Sequence, residues 1–136
     1  MSYLVDTNVL SELVRPRPEP KVVRWMRAGS AAGLFVSVLT LGEIRRCAER
    51  LDAGLRRRRL EGWLEEDVPR LFEARVLPVD AAVADRWGRL LHQVGRAVPA
   101  VDSLLAAAAL HHRLRFATRN VADFAFPGLE VANPWS

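Results

Sequence analysis

Lysine is almost missing from this 136-residue chain: Lys21 stands alone, and apart from three histidines every other basic side chain is arginine. The guanidinium suits bidentate phosphate contacts, so the imbalance points to an anionic partner, although a GC-rich coding sequence produces the same bias. The net charge is only +4, with an isoelectric point of about 10.5. Cysteine is as scarce. Cys47 alone excludes an internal disulfide and a cysteine-based zinc site, and fits a reducing compartment. No run approaches the ~18 consecutive apolar residues that a membrane span needs. No charged, apolar and small-residue leader is present either, because Asp6 interrupts the only candidate. The expectation is a soluble cytoplasmic protein with no membrane contact. No repeat, linker or low-complexity tract appears beyond the alanines. With 50% apolar residues the chain suits one globular domain over residues 1–136 rather than disorder.

What is present alternates. Residues 2–5 form a short apolar run that stops at Asp6-Thr7-Asn8, the pattern of a buried strand feeding directly into a helix. Residues 9–14 read as a short helix stopped by Pro16, Pro18 and Pro20, and residues 21–27 as a second, with Val22, Trp25 and Met26 on one face. Residues 29–33 read as a loop and 34–38 as a strand. Thr40 then stands as the cap of a helix carrying Glu43, Ile44, Cys47 and Leu51. Residues 55–68 form another helix, which Pro69 helps to end. A strand at 75–79 leads to Asp80, the cap of the clearest amphipathic helix, with Val83, Trp87, Leu90, Leu91 and Val94 on one side and Gly95 at its end. The helix through 104–110 is apolar all round and belongs at the centre. Strands at 115–118 and 129–132 enclose a turn at 119–123. Strands alternating with helices predict an α/β fold, a parallel sheet covered on both faces.

On that map Asp6, Glu43, Asp102, Thr118, Asn120 and Asp123 all fall at strand carboxyl ends or helix amino ends. In a parallel sheet that is one edge, so they can meet in one crevice. Each has an ordinary explanation. Asp6 or Asn8 suits an N-cap, Thr40 with Glu43 a capping box, Asp102 or Ser103 the cap of the alanine helix, and Asn120 the cap of the next turn. Caps, however, need no charge, and several uncompensated carboxylates in one crevice repel by roughly several kcal/mol at low effective dielectric. A divalent cation removes that cost. Oxygen donors without a Cys or His cluster suit Mg²⁺ or Mn²⁺ rather than zinc.

Four segments, in order, carry a family likeness: Leu4-Val5-Asp6-Thr7-Asn8, Ser37-Val38-Leu39-Thr40-Leu41-Gly42-Glu43-Ile44, Pro99-Ala100-Val101-Asp102-Ser103-Leu104, and Thr118-Arg119-Asn120-Val121-Ala122-Asp123-Phe124. Together they resemble the PIN-domain ribonucleases of the VapC/FitB toxin kind, the toxin half of a bacterial toxin–antitoxin pair. The resemblance implies a three-layer α/β/α sandwich with a central parallel sheet, and Asp6, Glu43 and Asp102 as the acidic metal-binding set. It further implies metal-dependent cleavage of RNA phosphodiesters, neutralisation by a small antitoxin, and a homodimer. Many relatives place a fourth acid two residues after the threonine, where this chain has Asn120. Asp123, one helical turn further on, is the candidate to replace it. Asp6 and Asp102 are the expected direct ligands, and Glu43 a ligand through water or the base that orients it. Asn8, Ser103, Thr118 and Asn120 are expected to hold the carboxylates and water by hydrogen bonds.

Arg56-Arg57-Arg58-Arg59 spread round a helix and cannot all face one ligand. With Arg45, Arg46 and Arg50 they suit an RNA-phosphate surface or a solvated or antitoxin-facing one, while Arg119 sits beside the crevice. His111 and His112 read as structural, Trp25, Trp63 and Trp87 as core, and Trp135 as packing either the last strand or a subunit contact. Two other functions compete. An aspartyl-phosphate phosphohydrolase also uses an acid at a strand end, but Asp6-Thr7-Asn8 lacks the second acid two residues on. A non-catalytic RNA- or protein-binding module would use the acids as caps alone.

Overall fold

In the computed structural model, which describes residues 2–29 and 33–136, successive side chains of the first strand leave the sheet on opposite sides and seed two apolar layers. Strand β1 (Tyr3–Val5) sends Leu4 to one layer and Val5 to the other, and β4 (Arg115–Ala117) does the same with Phe116 and Ala117. Helices α6 (Ala81–Val94) and α7 (Ala100–His111) cover the Leu4 side. Helices α1 (Thr7–Glu12), α2 (Pro20–Gly29), α3 (Val38–Arg50), α4 (Leu55–Gly62) and α5 (Val68–Phe72) lie on the Val5 side. The three-layer sandwich follows from that alternation.

Strands β2 (Leu34–Ser37), β3 (Val76–Leu77) and β5 (Val131–Ala132) complete a five-stranded sheet in the order β3-β2-β1-β4-β5, every pairing parallel. The chain builds outward from β1 to β3 and then returns to add β4 and β5 on the other side. The strand order therefore reverses between β1 and β4, and a crevice opens at their carboxyl ends. Helix α7 lies deep because Ala106, Ala107, Ala108 and Ala109 are all essentially unexposed and small enough to let it approach the sheet. Gly95 closes α6 in the left-handed conformation (φ 69°) that glycine adopts without strain.

Several local expectations are corrected. Ser37, not Thr40, caps α3: its hydroxyl accepts from the Leu39 amide at 3.1 Å. Thr40 lies inside the helix and faces the core with Ile44 and Ala48, so no capping box forms. Pro69 does not end its helix. A wider π-helical segment, Trp63–Asp67, joins α4 to α5, with the Val68 amide bonding to the Trp63 carbonyl five residues back. Pro69 then falls in the first turn of α5, where a missing N–H is tolerated. The strands expected over 75–79 and 129–132 are shorter than that. Residues 30–32 of the expected 29–33 loop lie outside the described residues. Among the described residues, no helix is long and apolar enough to cross a membrane.

Candidate functional site

The site is built outward from the end of β1. Asp6 is extended (φ −73°, ψ 161°) and heads α1. Its amide donates to the Ala117 carbonyl at 2.9 Å, lacing β1 to the end of β4 at the crevice. The residue is 7% exposed, and both carboxylate oxygens are engaged. Oδ1 accepts from the Thr7 amide at 2.8 Å; Oδ2 accepts from the buried Thr118 hydroxyl at 2.7 Å and the Asn8 side-chain amide at 3.3 Å. One oxygen therefore caps α1, while the other faces across the topological switch point.

Glu43 arrives from α3, whose start is fixed by Ser37. Its Oε1 accepts from the Thr7 hydroxyl at 2.6 Å. Thr7 thus joins two acids, bonding Asp6 through its amide and Glu43 through its hydroxyl. Nothing in the sequence marks this link, because its partners are 36 residues apart.

Asp102 stands in the first turn of α7, where the helix dipole favours a carboxylate, and no side chain caps that helix. Its pKa is raised, first by burial and then by the negative charges of Asp6, Asp123 and Glu43. Burial also pushes Asp6 upward, against the lowering hydrogen bonds from Thr118 and Thr7, and Glu43 and Asp123 push the same way as burial. The four acids read from the sequence therefore share one electrostatic field. Asp123 belongs to it from an exposed position on the 3₁₀ turn Val121–Phe124. Among the described residues, no three His, Cys, Asp or Glu side chains stand close enough to clasp one ion directly. Mg²⁺ keeps several of its waters and needs only one or two direct carboxylates, so this oxygen-only donor set fits an ion of that class.

The supporting residues divide. Asn8 and Thr118 hold Asp6, and Asn8 Nδ2 also reaches Thr118 Oγ1 at 3.3 Å. Asn120 enters through its backbone: its amide donates to Thr118 Oγ1 at 3.0 Å and orients that hydroxyl toward Asp6. Ser103 is corrected. Fully buried, it accepts from the Trp87 indole at 2.8 Å and donates to the Ala100 carbonyl at 2.9 Å, tying α6 to α7. Ser103→Ala leaves a buried indole N–H unpaired, so urea unfolding should show a loss of about 1–3 kcal/mol.

The arginines divide too. Arg45 pairs with Glu65 at 2.7 Å and Glu61 at 3.5 Å, so its guanidinium links α3 to the α4 region instead of facing a phosphate. Arg57 is tied to Glu49 at 2.9 Å. Arg46 is exposed, and Arg56 and Arg59 line an apolar groove of about 810 Å³ between α1, α3 and α4. Arg119 is exposed and lies over Trp135, which packs on the Val5-side layer. His111 and His112 stack edge to face at the end of α7, away from the crevice.

Comparison with known proteins agrees with this geometry. The PIN-domain family pattern matches residues 3–125. Toxin FitB of Neisseria gonorrhoeae is 34% identical over 135 residues, covering 97% of each chain. The VapC ribonuclease Y4jK of Sinorhizobium fredii is 33% identical, over 97% of this chain and 96% of its own. The crystal structure of FitAcB from Neisseria gonorrhoeae superposes with a TM-score of 0.87 at 34% identity, covering 98% of each chain. A switch-point crevice with a shared field of acids, inside a sequence that aligns almost end to end with such relatives, places this chain in the PIN-domain family as a toxin of the VapC/FitB type.

Proposed function

We propose that this toxin is a Mg²⁺- or Mn²⁺-dependent endoribonuclease that hydrolyses RNA phosphodiester bonds in the cytoplasm. Its partners are a cognate antitoxin protein and a second copy of itself. The observation that carries the reading is the mutual field of Asp6, Glu43, Asp102 and Asp123 at the switch point, which raises the pKa of Asp6 and Asp102. A stack of acids that destabilise one another's ionised form is a poor set of caps and a good cation site. The ribonuclease name of one relative and the titles of similar complexes, among them FitAB bound to a DNA fragment and VapBC2 of Rickettsia felis, support the substrate and the antitoxin.

Asp6 and Asp102 would hold the ion directly, and Glu43 would reach it through water. The chemistry supplied by such an ion when bound is polarisation of the phosphate and activation of a water. The chain's own contribution is positional. Thr118, Asn8 and the Thr7 amide fix Asp6, and the Thr7 hydroxyl holds Oε1 of Glu43, leaving Oε2 to accept a proton from the attacking water. An aspartyl nucleophile is a weaker reading, because both oxygens of Asp6 already accept hydrogen bonds and no second acid stands two residues on.

The test is cleavage of RNA by the purified protein with Mg²⁺ or Mn²⁺, then with chelator, then with metal restored. Cleavage that stops with chelator and returns with metal is expected; cleavage indifferent to chelator, or none with either ion, overturns the proposal. Thr7→Val should lower the cleavage rate by about 10- to 100-fold while leaving the unfolding midpoint nearly unchanged, since only the bond to Glu43 is lost.

A further inference from the structure

A second cavity, of about 420 Å³, opens at the far end of α1, with Arg15 and Arg17 on one wall and Arg119 and Trp135 on the other. It lies outside the acid cluster but is connected to it. Arg119 directly follows Thr118, and its amide donates to Asn8 Oδ1 at 3.3 Å. Helix α1, six residues long, spans about 9 Å between the acid end and the cavity end.

Both walls are fixed. Glu12, only 5% exposed, accepts from the Glu19 amide at 2.9 Å and from Arg15 at 3.3 Å, which pins the segment carrying Arg17. On the other wall the Arg119 guanidinium lies 5.2 Å from the Trp135 ring centroid. Trp135 is in turn packed on the core, and its amide bonds Asn133 Oδ1 at 2.9 Å. A long, mobile cation is thereby parked on an aromatic face. Arg45 and Arg57 are consumed by carboxylates, whereas neither Arg17 nor Arg119 has a carboxylate partner among the described residues. Glu12 and Glu19 also line the cavity, but Glu19 accepts the Lys21 amide at 3.3 Å and Glu12 is engaged as described, so the anion-seeking side is that of Arg17 and Arg119.

We propose that this cavity is a phosphate subsite for single-stranded RNA. It takes a phosphate neighbouring the one cleaved at Asp6, with Arg17 and Arg119 as its ligands and Trp135 as the positioning residue for Arg119. The inference rests on the nuclease reading above. Binding of a short, fluorescein-labelled, mixed-sequence RNA is measured by anisotropy over a salt series, in an Asp6→Asn background that does not cleave it. Arg17→Ala and Arg119→Ala should each weaken binding by about 3- to 10-fold and flatten the slope of log K against log salt by about 0.7 for each arginine removed. Trp135→Phe, which keeps an aromatic face, should bind as the parent does. Trp135→Leu should match Arg119→Ala, with no further loss when the two are combined. In the cleaving enzyme Arg119→Ala should raise KM more than it lowers kcat. Arg113→Ala, at the opposite sheet edge, should change nothing. If the parent binds and cleaves RNA but the Arg17 and Arg119 variants keep its affinity and salt slope, the subsite is wrong while the nuclease stands. If the parent neither binds nor cleaves RNA, both readings fall.

Discussion

Asp6→Asn is expected to lower RNA cleavage by about 10³-fold, the equivalent of about 4 kcal/mol of lost transition-state stabilisation, without unfolding the protein. The same substitution should leave metal-free protein at least as stable as wild type at neutral pH. Asp6 has a folded-state pKa raised above its ordinary 3.8 by burial and by Glu43 and Asp123, against the bonds from Thr118 and Thr7. A carboxyl raised in this way costs stability wherever the pH exceeds both its folded and unfolded values. The cost shrinks as pH falls through the folded value and vanishes below 3.8. Asp102 is raised in the same sense. Melting curves in chelator should therefore show the variant at or above wild type at neutral pH, with the gap closing on acidification. Asparagine keeps an acceptor for the Thr7 amide, and the Thr118 hydroxyl can turn to accept from the new amide. A variant that is inactive and also destabilised by more than about 1 kcal/mol would make Asp6 a structural cap first.

Phe116→Ala should cost about 3–5 kcal/mol, a large share of a typical domain's stability. Phe116 is wholly buried in β4, and its ring centroid lies 4.2 Å from that of Phe124. The alanines of α7 set the reason. Their small side chains bring the helix close to the sheet but fill little volume, so Phe116, Phe124 and Phe126 supply the bulk of that layer. Deleting one ring leaves a cavity that a helix already close to the sheet cannot collapse to fill. The damage should reach the site, because Ala117 accepts the Asp6 amide and Thr118 holds the Asp6 carboxylate from the next two positions. Urea unfolding followed by tryptophan fluorescence measures the first effect, and cleavage at subdenaturing urea the second.

What is legible in the sequence is what short-range chemistry writes. Asp6 is marked by the apolar run before it and the helix after it. The alanine helix is marked by having no polar face, and Asp80 and Gly95 by cap chemistry that works within four residues. The acids fall at one edge because strand ends and helix starts are local, and a parallel sheet gathers them. Contacts between distant segments are not legible. Thr7 meets Glu43 only because α1 and α3 pack side by side on one face of the sheet. Ser103 meets Trp87 because α6 and α7 do the same on the other. The sequence signal for Ser103, a polar residue beside Asp102 at a helix start, suits either use. Ser37 and Thr40 offer competing caps, and the β-branched Val38 extends the apparent strand past the true one. Arg45 and Arg57 resemble a phosphate surface until the α3 and α4 packing supplies Glu49, Glu61 and Glu65.

The claim that these acids form a cation site is tested most directly by calorimetric titration of metal-free protein with Mn²⁺, for wild type, Asp6→Asn and Asp102→Asn. Saturable binding of one ion to wild type is expected, with affinity at least about tenfold weaker in each variant, all three folded by circular dichroism. Wild-type protein that takes up no Mn²⁺, or variants that bind it as tightly as wild type, would show that the acids are not a cation site.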